Sequence, residues 1–295
     1  VKETANTDLL KNKYRLDRKI AQGGMSSVYL CTNLELGSKW VAKHIDDRYS
    51  DFIYEEEILK RLNHISLPKI IDICKEESGI YIIESYIEGI SLEGMLQRAG
   101  ALTLEKIIDY SLQLCEVLAY LHNLRPKAII HRDLKPSNII ITEYDKLVLI
   151  DFGISVELGE EGCGIKAGTN AYSAPEQLIS SGKSDTTADI YSLGIVLHQM
   201  LTGQLPGKIS LQECRKPSII YERLLQLSER CSRFQPDERY RKIEDVRRIL
   251  LQIRNQNILI REKNRVKRKV VIILICLLSA INYGCLLFYM VYKSG

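Results

Sequence analysis

His131-Arg132-Asp133-Leu134-Lys135-Pro136-Ser137-Asn138 is followed, thirteen residues after Asn138, by Asp151-Phe152-Gly153. The first segment brings a carboxylate, an ammonium and an amide close together in sequence, and the second sets a carboxylate beside a flexible glycine. Phosphoryl transfer from a metal nucleotide uses such groups: a carboxylate to orient the acceptor hydroxyl, a cation on the moving phosphoryl, and oxygen ligands for magnesium.

In residues and order the two segments resemble the catalytic and metal-binding loops of the protein kinase family. The resemblance implies an α+β, two-lobed fold over residues 13–253, with a β-rich N-lobe (13–85) and a helical C-lobe (86–253). The residues agree with that order. Tyr14 to Ala21, Val28 to Thr32, Trp40 to Lys43 and Ile80 to Ile83 read as strands, the last preceded by a helix. Ile107, Leu114, Leu118 and Leu121 then share one face of a helix capped by Thr103.

The resemblance also assigns roles. Asp133 orients the substrate hydroxyl, Lys135 steadies the γ-phosphoryl, and Asn138 and Asp151 bind magnesium or manganese. Ile20-Ala21-Gln22-Gly23-Gly24-Met25-Ser26-Ser27-Val28 is similar to the loop that covers the phosphates of ATP in bacterial kinases of the eukaryotic type. Its glycines leave room for backbone amides near the phosphates. Ala21 and Ser26 stand where glycines are usual. Trp40-Val41-Ala42-Lys43 supplies the strand lysine for the α- and β-phosphates. Its acidic partner is sought among Glu55, Glu56 and Glu57. Ile58, Leu59 and Leu62 mark the buried helix face, and spacing to that face selects Glu55. Tyr81 to Gly89 resembles the last strand and hinge, with adenine bonded to backbone around Ser85 and Ile87. Glu84 sits behind the adenine, where a buried carboxylate needs a partner. Thr169, in Gly168 to Glu176, faces the substrate. Arg132, Glu176, Asp189 and Arg239 are scaffold residues, with Glu176 expected to pair with Arg239 and Asp189 to hold the catalytic-loop backbone.

Between Gly153 and Gly168 the only hydroxyl is Ser155. Glu157, Glu160 and Glu161 stand where a phosphorylated residue usually answers Arg132. Either carboxylates replace the phosphate, or activation comes from another contact such as self-association.

Charge is unevenly spread. Residues 254–269 carry seven Lys/Arg against Glu262 alone, whereas the body is slightly acidic. The body is therefore no nucleic-acid binder by charge. The eight cysteines show no CxxC or metal-ligand spacing, which argues against zinc and for reduced thiols.

Val270 to Tyr292 holds 23 residues without a charge. At about 1.5 Å per residue this run reaches roughly 34 Å, enough for a hydrocarbon core of about 30 Å. It reads as a transmembrane helix (270–292) after a basic juxtamembrane segment (254–269) that suits anionic lipids. The basic flank places the body in the cytoplasm and leaves 293–295 as a short external tail. Cys276, Ala280 and Gly284 form a small-residue stripe, and Ser279 and Asn282 a polar one, through which a homodimer could form.

The expected function is transfer of the γ-phosphoryl of ATP to protein serine and threonine hydroxyls, its own included, by a membrane-anchored kinase. The Lys135-Pro136-Ser137-Asn138 form favours those hydroxyls over tyrosine. The alternative is a pseudokinase or nucleotide-binding membrane scaffold, suggested by Ala21, Ser26 and Glu84. A kinase-fold enzyme acting on small hydroxyl compounds is a weaker third reading.

Overall fold

Runs such as Val41-Ala42-Lys43-His44-Ile45 and Ile80-Tyr81-Ile82-Ile83 are too short for helices and too apolar for loops. Both are strands in the computed structural model of the chain. The structure describes residues 9–22, 26–46, 62–76, 79–151, 156–157, 171–178, 185–207 and 218–293, with backbone alone for 156–157, 280 and 283–293.

Six strands form one antiparallel sheet: β1 (Leu9–Leu10), β2 (Tyr14–Gln22), β3 (Ser26–Asn33), β4 (Lys39–Asp46), β5 (Ile70–Glu76) and β6 (Gly79–Ser85), in the order β1-β2-β3-β4-β6-β5. One face buries Leu10, Tyr14, Cys31, Ala42, Cys74, Tyr81 and Ile83. Alternation along each strand sends these side chains to one face and their neighbours to the other, where Val41, Lys43 and Ile82 are buried as well. Burial pushes the Cys31 thiol up to about 12, so it is packing and not a nucleophile. Across β2, β3 and β4, Asp17 accepts hydrogen bonds from Arg15, Thr32 and Lys39. Burial opposes its ionisation, but these bonds prevail and hold the carboxyl near 2.

The helical part begins with β7 (Ile90–Ser91) and α1 (Leu92–Ala99), where Ser91 caps the Gly94 amide. Helix α2 (Leu104–His122) starts at Thr103, whose hydroxyl accepts from Lys106 N. Its buried stripe includes Ile107, Leu114, Leu118 and Leu121. Short strands β8 (Ile129–Ile130), β9 (Ile139–Ile141), β10 (Leu147–Leu149) and β11 (Val156–Glu157) follow, then α3 (Thr187–Thr202), α4 (Ile219–Cys231) and α5 (Ile243–Lys293). Two glycines allow close approach. A Cβ on Gly194 of α3 would lie 2.7 Å from Cys231 Cβ of α4, and one on Gly89 would lie 2.4 Å from the Ile141 carbonyl oxygen.

Residues up to Leu250 form one compact unit and Leu251–Gly295 a second. In the second, the basic residues Arg261 to Lys269 are exposed, as are nine large apolar residues from Val270 to Ile281. Among the described residues no helix is long and apolar enough to cross a membrane. The side chains of residues 280 and 283–295, which include Ala280 and Gly284, lie outside that description. Ser279 donates its hydroxyl to the Ile275 carbonyl within its own helix, 2.9 Å away.

Candidate active site

Strands β8 and β9 are the two posts between which residues 131–138 are strung. Antiparallel pairing of β8 with β11, and of β9 with β7 and β10, fixes both posts. Pro136–Asn138 closes as a 3-10 turn, with Asn138 N donating to Lys135 O. Ile150 N donates to Asn138 O at 2.8 Å, tying this turn to the residue just before Asp151. Arg132 and Asp151 take φ of 66° and 67°, left-handed conformations that residues with a Cβ adopt at a cost. At Arg132 that cost is offset by hydrogen bonds on both sides, its N donating to Asp189 and its O accepting from Gln177.

Within this frame the polar side chains converge. Lys135 Nζ lies 2.6 Å from Asp133 Oδ2. Asn138 Nδ2 donates to the same oxygen at 2.9 Å and to the Asp133 carbonyl at 3.0 Å. The Asn138 amide nitrogen is thus engaged twice, and its oxygen is the group left to meet a cation. Asp133 N donates to His131 Nδ1 at 3.3 Å, so that ring nitrogen is unprotonated. Burial pulls the His131 pKa down, in agreement with a neutral ring.

Lys43 arrives from β4, where it pairs across the sheet with Val28 on one side and Ile82 on the other. It is 4% exposed, and its Nζ lies 2.7 Å from Asp151 Oδ1. Asp151 is the open member of the pair, with 43% of its side chain exposed. A buried ammonium held against a half-exposed carboxylate presents both signs of charge at one opening. Among the described residues no three His, Cys, Asp or Glu cluster to hold a metal. One carboxylate and one amide oxygen nevertheless suit magnesium, which takes few protein ligands and completes its shell with phosphates and water.

The remaining expected site residues fall around this centre. Ile20, Ala21 and Gln22 end β2, while Ser26 and Val28 begin β3, with Ala21 opposite Val28 and Gln22 opposite Ser27. Ser27 Oγ donates to Gln22 Oε1 at 3.0 Å, joining the two arms of the hairpin. Val41 is buried on β4. Ser85 N donates to Lys69 O at 2.9 Å, so of its two backbone groups the carbonyl is the one that Ser85 can offer a ligand at the hinge. Ile87 lies just beyond, in the stretch between β6 and β7. Glu84 is half-buried and has an interaction partner, so it is no unpaired buried charge. Gly23, Gly24, Met25, Glu55 and Thr169 lie outside the described residues, as do Phe152 and Gly153.

Two contacts hold the loop, and a third braces the turn that carries Gln177. Asp189 is fully buried, and its two oxygens accept from His131 N and Arg132 N, each at 2.9 Å. Gln177 receives a bond from Ala174 N at 2.9 Å and donates to Arg132 O at 3.0 Å. Arg239 grips Glu176 with both ends of its guanidinium, at 2.7 and 2.8 Å. Two residues in this scaffold carry no role in the sequence reading: Gln177, and His122, whose Nε2 lies 2.8 Å from Asp189 Oδ2. His122 ends an apolar helix far from Asp189 in sequence, and no local pattern marks it. Gln177 directly follows Glu176 and could have been sought there as a polar residue in a closing turn.

A model of the protein kinase domain matches residues 14–265. The chain is 28% identical over 271 residues to a probable serine/threonine-protein kinase of Clostridium acetobutylicum, covering 84% of this chain and 41% of that protein. It is 31% identical over 214 residues to serine/threonine-protein kinase PknB of Mycobacterium tuberculosis, covering 67% and 33%. A probable serine/threonine-protein kinase 2 of Plasmodium falciparum is 31% identical over 202 residues, covering 66% and 39%. The chain thus spans about two fifths or less of the length of these relatives.

Proposed function

Because the chain belongs to the protein kinase family, we infer that it transfers the γ-phosphoryl of ATP to serine and threonine hydroxyls of proteins, its own included. The observation that carries this reading is the convergence on Asp133. Its Oδ2 is met by Lys135 Nζ at 2.6 Å and Asn138 Nδ2 at 2.9 Å, while Lys43 reaches Asp151 at 2.7 Å. Asp133 orients the incoming hydroxyl and accepts its proton. Lys135, already beside that carboxylate, balances charge on the transferring group. Lys43 anchors the phosphates, and its burial keeps the ammonium from swinging into water. Asn138 Oδ1 and Asp151 are the groups that would hold magnesium or manganese. Such an ion, when bound, neutralises phosphate charge. Substrate choice between serine or threonine and tyrosine rests on Lys135.

Lys43→Met keeps the length and apolar stem of the side chain and removes the ammonium. Transfer is expected to fall by about 10²–10³, the usual cost of one preorganised electrostatic contact. Thermal unfolding of the full chain in detergent should change little. Wild-type rates of transfer in this variant would sink the assigned role.

The chain is also read as a single-pass membrane protein with its kinase domain in the cytoplasm. Support comes from the 23 uncharged residues of 270–292, the exposed apolar side chains within α5, and the basic flank. The basic segment faces anionic headgroups, and the small residues of the span offer a surface for a second copy. One membrane preparation tests all of this. The full chain should stay in the pellet through high salt and carbonate, and bind more strongly to vesicles rich in anionic lipid. In the same membranes Gly284→Ile with Asn282→Leu should lower crosslinked dimer. Release by salt alone rejects the span, and unchanged crosslinking rejects the pairing.

A further inference from the structure

Strand β6 ends at Ser85, and Ile70 at the start of β5 stands opposite Glu84, so Lys69 stands opposite Ser85. In a hydrogen-bonded antiparallel pair two residues exchange both backbone bonds, each amide donating to the other's carbonyl. Half of that exchange is made here, with Ser85 N donating to Lys69 O at 2.9 Å. The other half is not closed on the Ser85 carbonyl. Lys69 N donates instead to Ser85 Oγ, also at 2.9 Å. The hydroxyl thus takes the place of its own residue's carbonyl in the ladder. A side chain without an acceptor at this position would leave the carbonyl as the partner for that amide.

Ser85 is where β6 gives way to the hinge, and across the sheet it lies opposite Trp40, three residues before the buried Lys43. Its two backbone groups have different fates. The N–H is engaged by Lys69 O, and the carbonyl is the acceptor for a ligand. Adenine carries an exocyclic amine, a donor, where guanine carries an oxygen, an acceptor. An edge that offers an acceptor and no N–H suits the first base and sets oxygen against oxygen with the second.

We propose that the Ser85 hydroxyl is a positioning group for the nucleotide: by holding the Lys69 amide it keeps the hinge carbonyl open to adenine, and so strengthens the preference for ATP over GTP. This rests on the kinase reading given above and concerns base recognition, not the transfer step. The hydroxyl acts through the carbonyl of its own residue and not by contact with the base.

The test compares Ser85→Ala, which has no hydroxyl, with Ser85→Thr, which keeps one. Direct binding of ATP and of GTP, steady-state transfer, and amide hydrogen exchange at Lys69 with and without ATP are measured on the full chain in detergent. In Ser85→Ala, Kd and KM for ATP are expected to rise about tenfold with kcat within about twofold, because a base contact is made equally in ground and transition states. Affinity for GTP should stay within about twofold, so the preference for ATP shrinks about tenfold. In the wild type the hydroxyl holds the Lys69 amide, and ATP should leave its exchange unchanged. In Ser85→Ala the amide and the base compete for one carbonyl, so saturating ATP should quicken exchange at Lys69 by the same factor of about ten, since coupling is reciprocal. Ser85→Thr should retain most of the ATP preference and an exchange rate that ATP does not alter. An unchanged ATP-to-GTP ratio in Ser85→Ala, Lys69 exchange that ATP does not quicken in that variant, or a wild type that binds both nucleotides equally would overturn the proposal. A wild type that prefers ATP yet transfers no phosphoryl group would defeat the kinase reading, while binding and exchange still decide the role of Ser85.

Discussion

Arg239→Ala is expected to destabilise the helical part by about 3–5 kcal/mol, the cost of leaving one member of a buried ion pair alone. The arginine side chain is fully buried, whereas the Glu176 side chain is 17% exposed. Besides both Glu176 oxygens, its guanidinium donates to the carbonyls of Arg233, Phe234 and Thr187. Removal therefore strands a carboxylate and three backbone acceptors, and opens a cavity beside the Tyr191 ring, 4.9 Å from the guanidinium. Lys is no conservative replacement here, because it cannot form the two parallel bonds. Denaturant unfolding of the full chain in detergent, followed by the far-UV signal, reads the effect. Arg239→Lys should fall between wild type and Arg239→Ala. A loss below about 1 kcal/mol in Arg239→Ala would show that the pair behaves as a surface contact.

The catalytic-loop residues were legible in the sequence because their chemistry is local. Asp133, Lys135 and Asn138 lie within one short loop, and a 3-10 turn gathers them regardless of what surrounds it. The strands around Lys43 were legible for a similar reason, since Trp40 to Lys43 and Ile80 to Ile83 are apolar enough to read as buried. Strand β5 was not, because Asp72 and Cys74 interrupt its apolar run. Asp72 is accommodated by Lys13 and Tyr14, about sixty residues earlier. His122 was missed on the same ground. Its meaning comes from Asp189, which reaches it only when α2 and α3 pack, and no spacing rule carries that information. Register alone makes Glu84 a buried charge. It is only partly buried, because it lies near the end of β6, where the chain leaves the sheet. The expected Lys43 partner Glu55 lies outside the described residues, and the Lys43 ammonium also meets Asp151 at 2.7 Å.

Asp133→Asn tests the central claim most directly. The substitution preserves shape and still offers an oxygen to Lys135 Nζ and Asn138 Nδ2, so the fold and nucleotide site should persist. What it removes is the proton acceptor and the charge that orients the hydroxyl, together worth about 10²–10⁴ in rate. The measurement is single-turnover transfer of labelled γ-phosphoryl from ATP by the full chain, with identification of the labelled amino acid and parallel nucleotide binding. The wild type should yield phosphoserine and phosphothreonine, and Asp133→Asn should lose nearly all of that label while its nucleotide affinity stays within about twofold. A wild-type chain that binds nucleotide but labels no hydroxyl, or a variant that labels as fast as the wild type, would contradict the account.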